Sequence, residues 1–232
     1  MIMTKPTADL TGLDEATHRL LTALDALDDA AIAAPSRLSG WTRGHLTTHL
    51  ARNADALVNV LAGRPMYPSE DSRDTDIDRG APRPAAEQRA DVRDSAQRLA
   101  GAFAALPADR WSTTAALRNG VTDRLDSLPL RRWVEVELHH IDLGIGRTVH
   151  DLPGAFTDRA VDYLTRRYEG HPALPPLDLR AEDGRSWYSG GHDGTRLVVA
   201  GAPTALVGWL SGRTTGSGLT VSGGTLPAAP AL

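Results

Sequence analysis

A chain of 232 residues, 41% hydrophobic and 23% charged, can hold one large core or two unequal ones, and no apolar run reaches the roughly 18 residues of a membrane span. Its net charge of −4 supplies no positive field, so neither nucleic acid nor a membrane surface is expected as a partner. The absence of cysteine excludes disulfides, thiolate metal ligands and a cysteine nucleophile, so any thiol chemistry must bring its thiol from outside.

The start, "MIMTKPTADL", lacks the basic cluster and apolar stretch of a secretory signal, and a cytoplasmic location is the expectation. From Leu10 to about Ala34, Leu13, Leu20, Leu24 and Leu27 recur at helical intervals and predict a first amphipathic helix. After the break at "PSRLSGW", Thr42 stands as an N-cap before a second helix with Leu46, Leu50, Leu57 and Leu61 on one side and His45, His49 and Asn53 in a second row. Residues 63–84, crowded with Pro, Gly and Asp, read as a long connection. A third helix is expected from about Ala85 to Leu106, with Val92, Leu99, Phe103 and Leu106 on one side; the stretch 107–126 is ambiguous. Pro129 belongs in the first turn of a fourth helix, "LPLRRWVEVELHHIDLGI".

Four such helices suggest a bundle. Beyond Gly144 the pattern changes to a helix at "FTDRAVDYLTRRY", two strands around an Asp-Gly turn in "LDLRAEDGRSWYSG", a strand at "TRLVVAG", a short helix at "PTALVGWLSGR" and a last strand at "GLTVSG". The fold class is therefore α+β: a four-helix bundle over 1–150 and a small α+β domain over 151–232. The "GGHDG" stretch at 190–194 reads as a hairpin turn, and the tail "TLPAAPAL" as frayed.

The fourth helix is apolar on nearly every side, so Glu135, Glu137, His139, His140 and Asp142 are placed where unpaired polar groups are costly. Glu135 with His139, four apart, and Glu137 with His140, three apart, are competing pairs, and periodicity does not choose between them. One such pair plus a histidine of the second helix makes a His₂Glu set, an arrangement that leaves zinc an open position. The same residues also fit a polar core satisfied by hydrogen bonds. No GxSxG, Rossmann or Walker pattern is present.

Taken in order, "GWTRGHLTTHLARNADAL", "GRPMYPSEDSRDTDIDRGA", "LRRWVEVELHHIDLG" and "WLSGR" resemble the mycothiol-dependent maleylpyruvate isomerases of the wider DinB-like metalloenzyme group, over nearly the whole chain. The resemblance implies a DinB-like metal-binding bundle at 1–150, metal ligands at His49, Glu135 and His139, zinc as the usual metal, and a functionally important arginine at Arg213. His45, Glu137 and His140 then fall outside the ligand set, with His45 a helix residue near the site mouth and Glu137 and His140 an exposed or interfacial pair. Asp142 is either an acceptor that orients His139 or its neighbours or an acid packed beside an arginine, and Asn53 either a hydrogen-bonding neighbour of the site or a polar core residue. Arg43, Arg52 and Arg83 are further candidates for holding an acid.

The activity so implied is cis-trans isomerisation of maleylpyruvate, an enone acid, to fumarylpyruvate, by reversible addition of a zinc-activated mycothiol thiolate. A chain without cysteine is compatible with an external thiol. The alternatives are a mycothiol S-transferase acting on another electrophile, and a non-catalytic DinB-like regulatory module.

Overall fold

The computed structural model describes residues 5–69 and 71–230; positions 231 and 232 of the tail lie outside them. It divides into two compact units, Met1–Gly146 and Arg147–Leu232. Among the described residues, no helix is long and apolar enough to cross a membrane.

The first unit contains α1 (Thr7–Asp25), α2 (Asp29–Ala33), α3 (Arg43–Leu61), α4 (Ser72–Gly80), α5 (Ala85–Ala105), a small antiparallel hairpin of β1 (Thr114–Ala116) and β2 (Thr122–Arg124), and α6 (Leu128–Asp142). The four long helices form a ring: α1 lies beside α5 and α6, and α3 lies beside the same two. Leu20, Leu24, Leu46, Leu50, Leu57, Val92, Leu99, Phe103, Trp133, Val136 and Ile141 are buried within it. Each fully buried aliphatic side chain contributes ~1.5–3 kcal/mol before entropy is set against it.

Two glycines set the closeness of this packing. A Cβ on Gly12 of α1 would lie 2.2 Å from the Trp133 ring of α6, and one on Gly44 of α3 would lie 2.1 Å from the carbonyl oxygen of Ala81. No side chain fits at either place without displacing its neighbour.

Two expectations for this unit are corrected and a third is narrowed. The first helix does not run unbroken to Ala34, because Asp28 leaves the helix, and its side chain accepts a hydrogen bond from the Ala31 amide at 2.8 Å, starting α2 afresh. The long connection contains α4, whose single buried apolar residue, Ile77, gives no periodic stripe; its packing uses the backbone of Gly80 and Ala81 instead. Of the exposed and interfacial alternatives for Glu137 and His140, burial selects the second: Glu137 accepts a 2.7 Å hydrogen bond from Arg19 of α1 and a 3.4 Å one from the Trp133 indole.

The second unit contains α7 (Gly154–Arg167), β3 (Leu177–Ala181), β4 (Ser186–Ser189), β5 (Leu197–Gly201), α8 (Pro203–Leu210) and β6 (Leu219–Ser222), with a four-stranded sheet ordered β4-β3-β5-β6. The β3–β5 pair is parallel and the other two are antiparallel. Gly184, at φ 91°, supplies the left-handed residue of the β3–β4 turn. Because β4 and β5 lie on opposite sides of β3, the 190–194 segment is a crossover and not a hairpin turn. The tail is anchored through residue 230: the Trp209 indole donates to the Pro227 carbonyl at 2.8 Å and the Tyr168 hydroxyl to that of Pro230 at 2.8 Å.

Candidate metal centre

The start of α3 fixes the phase of its histidines. Thr42 and His45 form a reciprocal cap: the His45 amide donates to the Thr42 hydroxyl oxygen at 3.3 Å and the Thr42 amide to His45 Nδ1 at 3.2 Å. His45 is thereby committed to the cap, its Nε2 3.8 Å from Asp78 Oδ1. His49 follows one turn later on the face toward α6. On α6, Pro129 sits in the first turn, and Glu135 and His139 face α3 one turn apart.

The ligand atoms of His49, Glu135 and His139 all lie within 4.8 Å of one another. Glu135 Oε2 is 3.1 Å from His49 Nε2 and 3.2 Å from His139 Nε2, and the two imidazoles meet edge-on with centroids 4.9 Å apart. His139 Nδ1 is 2.9 Å from Asp142 Oδ2, a contact that aims Nε2 at the centre of the group. Two imidazole nitrogens and a carboxylate oxygen converging from two helices form a donor set that fits zinc or a similar divalent ion.

The three groups share their charge unequally. Burial is the dominant influence on His49 and brings its pKa down to about 4 despite the hydrogen bond to Glu135. Burial alone would also lower His139, but hydrogen bonds to Asp142 and Glu135 outweigh it and hold its pKa above the usual histidine value. Burial would raise Glu135, yet its bonds to His139 and His49 keep it well below the carboxylate range. The lone proton of the group therefore resides on His139.

This distribution predicts how metal uptake varies with pH. Ligands bind deprotonated. Above about pH 5 and below the raised pKa of His139, His49 and Glu135 have already lost their protons, and only His139 must lose one on loading. Zinc affinity should fall as pH drops, with a slope of one proton and not two. Competition against a chromogenic chelator across that range measures it, and a slope of two would contradict the assignment.

Around the group stand residues that helical periodicity does not single out. Trp41 places its ring 5.6 Å from that of His49, with the Arg73 guanidinium 5.9 Å from the Trp41 ring. Arg73 Nη2 lies 3.3 Å from His49 Nδ1, and Tyr67, beside Arg73, has its phenol pKa raised by burial. Arg132, one turn before Glu135, is buried and donates to Asn53 Oδ1 at 2.7 Å. The available signal for Arg132 is an arginine three residues before a ligand in a helix apolar all round.

Other candidates have structural partners. Arg43 donates to the carbonyl oxygens of Leu143 at 2.7 Å and Ala31 at 2.9 Å, beyond the ends of α6 and within α2. Arg52 and Arg83 both bond Asp91. In the second unit, Gly212 at φ 72° ends α8, and the Arg213 amide donates to the Gly208 carbonyl at 2.8 Å, so a glycine-dependent helix cap fixes the Arg213 backbone. The Arg213 guanidinium donates to the Ser211 carbonyl at 2.6 Å.

The model of the mycothiol maleylpyruvate isomerase N-terminal domain family matches residues 13–144, a span that contains all three clustered side chains. The chain belongs to this family. Among solved structures, a mycothiol-dependent maleylpyruvate isomerase is 28% identical with a TM-score of 0.87, covering 98% of this chain and 97% of that one. A histidine-to-alanine mutant of such an isomerase matches at 27% identity with the same TM-score and coverage. No curated protein sequence matches. The α+β class expected from the sequence agrees with these structures, and family membership agrees with the resemblance carried by the four motifs.

Proposed function

We propose that this protein isomerises maleylpyruvate to fumarylpyruvate, with mycothiol as thiol cosubstrate and zinc or another divalent metal held by His49, Glu135 and His139. The convergence of these three ligand atoms within 4.8 Å, in a chain matched over 98% of its length by a mycothiol-dependent isomerase, carries the reading. The metal-binding role falls to 1–150, and 151–232 supplies Arg213.

A divalent metal at this site supplies Lewis acidity that keeps a thiol ionised near neutral pH. The chain's own groups prepare for it. Glu135 brings a full negative charge, Asp142 sets the ring of His139, and burial keeps His49 neutral. In the reaction, the mycothiol sulfur forms a C–S bond at the cis double bond, and the electron pair moves to the ketone oxygen. Rotation about the resulting single bond precedes loss of the thiolate, which restores the double bond in trans form and returns the thiol. Arg213 grips a substrate carboxylate or the developing enolate oxygen through its planar fork. A cytoplasmic setting, with a small-molecule substrate and thiol and neither nucleic acid nor membrane as partner, goes with this reading, and the net charge of −4 supports it.

The test mixes zinc-loaded protein with maleylpyruvate, with and without mycothiol, and follows the trans product by chromatography. Turnover only with thiol is the expected result. A stable thiol adduct would mark an S-transferase, and a folded protein indifferent to zinc and thiol would mark a regulatory module.

A further inference from the structure

Among the arginines of the first unit, Arg132 stands apart. Its side chain is among the largest wholly buried ones, yet no carboxylate of the described residues lies within ion-pair reach, and its one hydrogen bond runs to the neutral Asn53 side chain. Other arginines of the bundle have anionic partners: Arg19 has Glu137, and Arg52 and Arg83 share Asp91. Arg73 has Asp74 at 2.5 Å. A guanidinium offers five N–H donors, and a buried cation without a counter-charge is costly and rare. Burial accordingly draws the pKa of Arg132 down to about 10, with Glu135 the foremost of the charges opposing that fall. Glu135 Oε2 is itself engaged by both imidazoles.

Position tells where the missing partner belongs. Arg132, Glu135 and His139 share one stripe of α6, and Asn53 follows His49 on α3 by one turn. The Arg132–Asn53 contact is thus the next layer of the α3–α6 interface, about 5.4 Å along the helices from the ligand layer. A short dicarboxylate spans that distance.

We infer that Arg132, steadied by Asn53, is a binding residue for one carboxylate of the small acid whose reacting end lies at His49, Glu135 and His139. This deepens the function proposed above by naming where its acidic substrate is held. Asn53 fixes one edge of the guanidinium, and the remaining N–H groups stay free for a bidentate grip. The same reasoning explains why the partner at position 53 is an amide. A carboxylate there would satisfy the cation permanently and close the seat.

The experiment measures equilibrium binding to zinc-loaded protein by calorimetry, without thiol and without turnover. The probes are maleate dianion and its monomethyl ester, which keeps one carboxylate and lacks the second. The native protein should prefer maleate by at least about tenfold, the worth of a charged hydrogen-bond pair. Arg132→Gln, with zinc stoichiometry unchanged, should bring the two affinities together, while ester binding stays as it was. Asn53→Asp should fold well, because it gives the buried cation an ion pair, should raise the thermal midpoint, and should also abolish the preference. That variant decides the matter if Arg132→Gln does not fold. A preference for maleate that survives in either folded, zinc-replete variant overturns the inference, as does its absence from the native protein. Because no turnover is read, a failed isomerase assay would leave this result standing, and the converse holds equally.

Discussion

Alanine at His49, Glu135 or His139 is expected to abolish stoichiometric zinc binding and, with it, activity. Each residue provides one of three ligand atoms, and the remaining two form no adequate set for a divalent ion. The loss should exceed the roughly 10–100-fold fall in affinity that removing an outer hydrogen-bond partner causes. Asp142→Ala, which frees the His139 ring but leaves all three ligands, should fall within that smaller range. His140→Ala should retain zinc despite its burial, because His140 lies outside the cluster. Metal analysis after gel filtration, with circular dichroism to establish folding, reads all five variants. Zinc retained by Glu135→Ala and lost by His140→Ala would show that the other face of α6 binds the metal.

Arg213→Lys should leave folding and zinc content intact while lowering kcat/KM by roughly 10²-fold, the scale set by removing one donor to a developing oxyanion. Lysine keeps the charge but replaces a planar two-toothed donor with a point, so the loss isolates geometry from charge. The backbone at this position is fixed by the Gly212 cap and not by the side chain, which is why the substitution should not disturb α8. Steady-state assays with maleylpyruvate at saturating mycothiol measure the effect. Activity within threefold of the native protein would remove Arg213 from the mechanism.

Much of the architecture is legible in the leucine periodicity, because α1, α3 and α5 each bury one continuous stripe. The breaks are less so. Asp28 is one acid among several until its contact with the Ala31 amide identifies it as a cap, and α4 rests on Ile77 and on close backbone approach, which leaves no repeating pattern. The crossover at 190–194 escapes notice because a Gly-rich segment has the same composition whether it turns back or crosses over.

At the site, spacing presents Glu135–His139 and Glu137–His140 as equals. Their separation is tertiary, since it depends on Arg19, 118 residues from Glu137, claiming the latter. The family resemblance named the pair that the structure brings beside His49. Arg132 is illegible for a different reason: composition shows an arginine, and only the fold shows that no carboxylate of the described residues pairs with it.

Mechanically, α6 behaves as a shaft gripped on one side. The Trp133 ring lies against the bare backbone of Gly12, and Glu137 is tied to Arg19, both contacts with α1. Glu135 and His139 project from the other side, toward α3. At a side-chain radius of about 5–6 Å, a roll of about 20° sweeps a ligand atom through on the order of 2 Å, as long as a zinc–nitrogen bond. The torsional stiffness of α6 thus sets how closely Glu135 and His139 hold their places beside His49, and it is fixed by contacts with α1, away from the cluster itself.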